Sequence, residues 1–357
     1  MKIVHVLAYY GDYKGGIQNY VKELSREQKK QGHEVKIITS TRYGKEKEID
    51  GIPILRCWTP FVAFRVPFTI SLPFKLFIEK CDVLHVHLPL PWLDLNASLK
   101  KIIHKKTKLV ITIHNDLQIN SLTSKIAGNI HNKFLIKSVL KRADKVITTT
   151  KEFANSLPYK IPRNKHVVIP LGVDTKDFHN LNIQKKEQIL FVGRLIPEKG
   201  LHLLVDVMIK LRKDFPNLKL AIAYQKLYNY DNYYDLIKEK SKGFLIEHHN
   251  CNKVELNKLY NESLFVVLPS LQESFGTVIL EALACGSKIV TFKLPGPFEA
   301  ISEKYVKFVK LNDSEELLNQ IRKLLKKSKK NKGSQKYVKV FFDWSKIAKS
   351  VEEVYKK

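Results

Sequence analysis

LFVVLPSLQESFGTVILEALACGSKIVTF, residues 264 to 292, runs from an apolar strand through a short polar turn into an apolar helix and out through a second apolar strand. Pro269 ends the strand LFVVLPS, and the run Val278 to Cys285 reads as a helix closed by Gly286. KIVTF then resumes the sheet. Strands apolar at nearly every position, joined by a helix, belong to a parallel sheet covered on both faces. Ser274 or Thr277 is suited to cap the helix, which leaves the backbone N–H groups near Phe275, Gly276 and Thr277 open to an anion. Glu273 stands ahead of the helix, and Glu281, one turn inside, slants its side chain back toward the N-terminus. Both carboxylates therefore reach one crevice, where they suit the hydroxyls of a sugar and a ribose on either side of a diphosphate. The alternative is structural: Glu281 paired with a cation at an interface, and Glu273 an ordinary loop acid.

The same alternation extends in both directions. Upstream, QILFVGRL is followed by a helix over 198 to 213, LKLAIAY by one near 231 to 242, and FLIEHH by one at 253 to 261. Earlier still come KIVHVLAYY with the helical IQNYVKELSREQKKQG, then VKIITST, DVLHVHL with a helix near 92 to 104, KLVITIH, KVITTT and HVVIP. Two successive series predict two doubly wound α/β domains, each with its ligand site at the carboxyl ends of the strands. The junction falls near 171 to 186, which is polar and lacks periodicity. The domains are thus expected at 1 to 175 and 176 to 340, with the helix of 341 to 357 packing back on the first.

A chain of 357 residues has room for two real cores. Four cysteines, Cys57, Cys81, Cys251 and Cys285, show no paired spacing, which argues against a disulfide framework and against a cysteine metal site. MKIVHVLAYYG reads as a buried first strand and not as a signal peptide, so a cytoplasmic protein is expected. The oiliest stretch, residues 57 to 78, is broken by Arg65, Lys75 and three prolines. It cannot supply the ~20 uninterrupted apolar residues of a membrane span, though it can touch a membrane surface. With 62 Lys and Arg against 35 Asp and Glu, the net charge of +27 favours an anionic partner: nucleic acid, acidic headgroups or phosphorylated small molecules. A generally lysine-rich composition is the other reading.

Three further stretches bear on function. In GDYKGGIQNYV, Gly15 and Gly16 stand before a helix, where backbone N–H groups can approach an anion; a tight turn between strand and helix would call for the same glycines. In FVGRLIPEKGL, Pro197 suits a first helical turn, and Arg194 and Lys199 project toward the end of a strand. Two fixed cations there suit a diphosphate, Arg bidentately and Lys as a point charge, although two surface cations would read the same way. Lys133, Lys137 and Lys141 recur at helical spacing as one basic stripe. With Lys100, Lys101, Lys105 and Lys106 in the same half, they suit an anionic membrane surface or a solvated helix face. His85 and His87 share one strand face and, without a carboxylate pattern beside them, are read as packing and not as metal ligands.

In this order, GGIQNYVKEL, PLGVDTKDF, FVGRLIPEKG and ESFGTVILEALACG resemble the GT-B glycosyltransferases of family 4, which carry a Glu-x7-Glu signature in the second domain. The similarity runs on to the tail DWSKIAKSVEEVY. It implies two Rossmann-like domains facing each other across a cleft, the donor nucleotide sugar on the second and the acceptor on the first. Arg194 and Lys199 would bind the donor diphosphate, with the amides of Phe275, Gly276 and Thr277, and Gly16 would approach it from the first domain. Glu273 would contact the sugar and Glu281 the ribose. His114, in VITIHND, matches a histidine near the transferred sugar, with Gly15 and Asn115 on the acceptor side. The activity implied is retaining transfer of a hexose-type sugar from a UDP- or GDP-linked donor to a glycan or lipid-linked acceptor. No cofactor and no divalent metal are expected, in keeping with the lack of any Asp-x-Asp in the sequence.

The chain departs from the family where YQKLYNYDNYYD replaces a glycine-rich turn and where FLIEHHNCNKVEL lacks the usual glycine, which leaves the base open. A sugar-nucleotide epimerase and a catalytically silent partner subunit are alternatives within the fold. A basic nucleic-acid-binding protein is the rival from another class, but the sequence has no recognition module for it.

Overall fold

Every residue of VLHVHL, Val83–Leu88, is buried, the two histidines included, as only a central strand covered on both sides allows. In the computed structural model this strand lies near the middle of the first of two α/β units. The structure describes all residues except 12–14, 43, 64–65, 89–90, 115–134, 226–230, 274 and 327–332. The first unit comprises Met1–Leu171 with Trp344–Lys357, the second Gly172–Asp343.

The strands of the first unit are β1 (Lys2–Val6), β2 (Glu34–Ser40), β3 (Glu48–Ile49), β4 (Ile52–Cys57), β5 (Phe61–Ala63), β6 (Val66–Phe68), β7 (Val83–Leu88), β8 (Lys108–Ile113), β9 (Lys145–Thr148) and β10 (His166–Val168). Eight of them form one sheet in the order β10-β9-β8-β7-β1-β2-β4-β3, while β5 and β6 pair separately as an antiparallel hairpin. Pairing in the large sheet is parallel apart from the edge strand β3. The order reverses between β1 and β7, so the carboxyl ends of those two strands flank the crevice where this topology places a ligand.

The helix Gly16–Lys30 follows β1 and buries Tyr20, Val21, Leu24 and Gln28 at the three- and four-residue spacing of one helix face. Against it packs the closing helix, Trp344–Lys356, which buries Trp344, Ile347, Val351 and Tyr355. The end of the chain thus supplies one wall of the first unit's core.

The second unit contains β11 (Lys186–Arg194), β12 (Lys219–Gln225), β13 (Leu245–His249), β14 (Ser263–Leu268), β15 (Ile289–Phe292) and β16 (Val306–Val309). They form a wholly parallel sheet in the order β13-β12-β11-β14-β15-β16. Here the order reverses between β11 and β14, and both cation- and carboxylate-bearing stretches leave the sheet at that point. Among the described residues, no helix is long and apolar enough to cross a membrane.

The turn after β11 differs from the continuous helix expected over 198 to 213. Pro197–Lys199 form a single 3-10 turn, Gly200 adopts a left-handed conformation (φ 69°), and the α-helix begins only at Leu201 and ends at Leu211. The cause is close approach: a Cβ on Gly200 would lie 1.9 Å from the Pro269 carbonyl oxygen. Leu271 N–H donates to the Glu198 carbonyl at 2.8 Å, so the loops after β11 and β14 are joined along their length. The expected helix cap is also different. Thr277 is the first helical residue of Thr277–Ala284, and the cap position belongs to Gly276 in a left-handed conformation (φ 83°) without a side-chain hydrogen bond; Ser274 lies outside the described residues.

Gly200→Ala should therefore lower stability by roughly 3 kcal/mol or more, combining left-handed strain with a backbone clash. Gly243, also left-handed (φ 87°) but with open space around it, should lose only about 1 kcal/mol on the same change. Urea denaturation of the two variants measures the difference.

Candidate active site

Lys199 closes the 3-10 turn, and its Nζ forms an ion pair with Glu273 Oε2 at 2.5 Å. Both side chains are mostly buried, with 18% and 24% of their surface exposed, so salt screens the pair less than a surface pair. Arg194 ends β11; it is exposed and forms no ion pair among the described residues. The backbone N–H groups of Phe275, Gly276 and Thr277 have no acceptor among the described residues, as expected at the start of a helix without a capping side chain. A cation held by a carboxylate thus lies beside a helix start with open amides where the strand order reverses, and Arg194 ends the strand that leads there. An oxyanion of a diphosphate is the chemistry that such donors satisfy.

Glu281 sits one turn into the helix, partly buried, and accepts a hydrogen bond from the Tyr260 hydroxyl at 2.7 Å. Desolvation raises its carboxyl above the ordinary value, against the lowering effect of that bond. It forms no ion pair among the described residues.

A cluster that sequence reasoning missed lies at the ends of β12 and β13. The Tyr224 hydroxyl donates to Glu247 Oε2 at 2.6 Å and meets His249 Nε2 at 2.7 Å, while the Tyr234 hydroxyl donates to the same Glu247 oxygen at 2.9 Å. Desolvation would raise Glu247, but the two phenol hydrogen bonds, with Lys238 and His249 nearby, overcome it and lower its carboxyl. The only available signal was register, since Tyr224 and His249 are partners on adjacent parallel strands.

In the first unit, Gly15 is extended (φ −163°) and Gly16 opens the helix. Any residue tolerates the first conformation, and a Cβ on Gly16 would meet nothing within 4 Å. At Gly16, therefore, neither packing nor a left-handed backbone demands glycine. His114, just beyond β8, is buried, and desolvation pushes its imidazole down to about 3, so it acts as a neutral group. His114 contacts His87, and His87 contacts His5. His5, His85 and His87 have ligand-type spacing, with one nitrogen from each within 4.8 Å of the others. All six of their ring nitrogens are already engaged in hydrogen bonds. Asn115 and Lys133 lie outside the described residues, while Lys137 and Lys141 are exposed on the helix Ile136–Arg142.

Two family models divide the chain between them. Residues 14–177 match Glycosyltransferase Family 4, and residues 173–340 match Glycosyl transferases group 1. The chain belongs to the GT-B glycosyltransferases of the family 4 kind. Such a glycosyltransferase is also found in Methanocaldococcus jannaschii, where an uncharacterized relative is 26% identical over 99% of this chain and 98% of its own. The gpi3 subunit of phosphatidylinositol N-acetylglucosaminyltransferase from Schizosaccharomyces pombe is 24% identical, over 96% of this chain and 77% of its own. Among solved structures, Anabaena HepE in complex with UDP superposes with a TM-score of 0.81 at 17% identity, covering 99% of both chains. That likeness is one of fold.

The raised carboxyl of Glu281 has a testable sign. A carboxyl whose folded pKa lies above its unfolded value favours folding while protonated, and that contribution is lost as pH rises through the folded pKa. Glu281→Gln, which keeps an acceptor for Tyr260, should raise the melting temperature of the ligand-free glycosyltransferase at pH 7.5. The gain should shrink as pH falls toward the unfolded glutamate pKa. A lower melting temperature at pH 7.5 would show that the ionised carboxylate stabilises the fold.

Proposed function

We propose that the protein is a retaining glycosyltransferase that moves a hexose-type sugar from a UDP- or GDP-linked donor to a glycan or lipid-linked acceptor, without a divalent metal. The observation that carries this reading is the Lys199–Glu273 pair beside the open amides of Phe275, Gly276 and Thr277, with Arg194 ending the strand before Lys199 and Glu281 one turn into the helix. In the reaction, the bond from the anomeric carbon to the diphosphate oxygen breaks and its electron pair leaves with the diphosphate. The acceptor oxygen forms the new bond on the same face and passes its proton to the departing diphosphate oxygen. Charge develops on the leaving oxygen, where fixed donors are most effective because they need no reorganisation.

The Lys199–Glu273 pair gives the arrival of the donor a definite consequence. A diphosphate competes for the ammonium, and Glu273, relieved of its partner, turns to the hydroxyls of the sugar. Glu281, already oriented by Tyr260, takes the ribose hydroxyls. His114 serves the transferred sugar, and Gly15, Gly16 and Asn115 serve the donor phosphates and the acceptor from the first unit. HepE has been solved with UDP and with UDP-glucose, which supports a nucleotide-sugar donor here. The phosphatidylinositol-modifying relatives support a lipid acceptor. A cytoplasmic enzyme peripheral to an anionic membrane would use Lys133, Lys137 and Lys141. Trp58, Phe61, Phe74 and Ile78, each more than half exposed in the same unit, suit that surface.

Thermal denaturation with UDP, GDP and their sugars tests the donor directly: one of them should stabilise the protein by about 2.7 kcal/mol at a hundred times its Kd. A flat response to all of them sinks the proposal. Glu281→Ala should mainly weaken donor binding, whereas Lys199→Ala and Glu273→Ala should lower turnover by roughly a hundredfold, with EDTA leaving it unchanged. The reverse partition rejects the assignment of roles. In flotation, anionic vesicles should carry the protein and neutral ones should not; salt-independent failure on both removes the membrane from the proposal.

A further inference from the structure

Four histidines lie inside the first unit where its strand order reverses, each no more than 6% exposed, and their hydrogen bonds form one connected set. Burial keeps all four neutral: His5 is lowered to about 4 and His114 to about 3, with His85 and His87 held well below their usual value. A neutral imidazole has one N–H and one lone pair, so the protons can be assigned in turn.

The Gln28 amide nitrogen donates to the Tyr355 hydroxyl at 3.0 Å. The proton of Tyr355 therefore goes to His85 Nδ1 at 2.6 Å, and His85 Nε2–H goes to Thr112 Oγ1 at 2.7 Å. Gln28 Oε1 lies 2.7 Å from His5 Nε2, which must carry the proton. His5 Nδ1 then accepts from His87 Nε2–H at 2.9 Å, and His87 Nδ1 accepts from His114 Nε2–H at 3.1 Å. In this order each imidazole N–H meets an acceptor. What is left over is the lone pair on His114 Nδ1, which has no partner among the described residues.

The direction of the file is set at one end. If the Gln28 amide turned over, its nitrogen would donate to His5 and its oxygen would accept from Tyr355, which reverses each proton from His5 to His114. The outer nitrogen of His114 would then be a donor. Tyr20 packs edge-on against His87 and His114, with ring centroids at 5.7 and 4.8 Å, and Trp344 packs against Tyr20. These rings cover the file, and the Tyr20 hydroxyl is buried without a hydrogen-bond partner among the described residues.

We propose that Gln28, acting through His5 and His87, fixes the tautomer of His114 so that Nδ1 is presented as a hydrogen-bond acceptor for a substrate hydroxyl. Gln28, His5 and His87 are positioning residues. The benefit to turnover rests on the role proposed above for His114; the tautomer does not.

Long-range 1H–15N correlation spectra of the full-length protein at pH 7.5, with His114 assigned by its loss in His114→Gln, read the tautomer without any assay of activity. The expected spectrum has His114 in the Nε2–H form alone. An Nδ1–H form, an imidazolium or an average of the two tautomers overturns the proposal. Gln28→Met removes the acceptor for His5 and should give His114 both tautomers, with kcat lower by about tenfold and donor Kd unchanged. Gln28→Glu, which still accepts from His5, should restore the single form and most of the turnover. A Gln28→Met protein that keeps one Nε2–H tautomer also overturns the proposal. Full turnover in His114→Ala, with the expected tautomer in the unsubstituted protein, instead removes the catalytic role of His114 alone.

Discussion

The carbonyl oxygen of Pro269 occupies the space that a side chain at position 200 would need, and most of the second unit's site depends on that contact. It forces Gly200 into a left-handed conformation, which stops the preceding turn and starts the helix one residue later. It also brings the loop after β14 against the loop after β11, so that Lys199 and Glu273, 74 positions apart, can share a proton-rich contact. Two adjacent parallel strands would otherwise send their loops to opposite faces of the sheet. Preorganisation here is therefore a backbone property, fixed before any ligand arrives.

Much of this was legible in the sequence. The strands announced themselves as apolar runs bounded by glycine and proline, and two such series predicted two doubly wound units. Glu273, Glu281 and the turn between them were legible because they lie within nine consecutive residues. The helix start at Leu201 was not, since EKGLHLL has the composition of an ordinary helix N-terminus and only a carbonyl from a distant loop makes glycine obligatory. Tyr260 as the partner of Glu281 was equally hidden, because the two come from different helices 21 positions apart. The histidine file needed strand pairing to be seen: His5 meets His85 through register and His87 across 82 positions, and no local spacing encodes either contact.

The two units solve the problem of buried polarity in opposite ways. In the second, among the described residues, polar groups remain charged or unsatisfied at the strand ends: an ion pair, a guanidinium without an ion-pair partner, open amides and a desolvated carboxyl. Such groups lower stability while they wait and gain most from an anionic ligand. In the first, burial strips charge from four imidazoles and leaves a fully connected neutral network, which holds rigid geometry without the Born penalty of an ion. One arrangement suits the capture of a diphosphate, and the other suits the exact placement of a neutral hydrogen-bonding group.

The helix Trp344–Lys356 also bears on the order in which the protein is made. It carries Tyr355, which holds Gln28 and His85, and it walls the core beside the first helix. The second unit is one uninterrupted stretch, Gly172–Asp343, but the first needs residues from both sides of it. On a ribosome, the N-terminal half therefore emerges first and finishes last. Until the helix Trp344–Lys356 has been made, the sheet of the first unit has an uncovered apolar face.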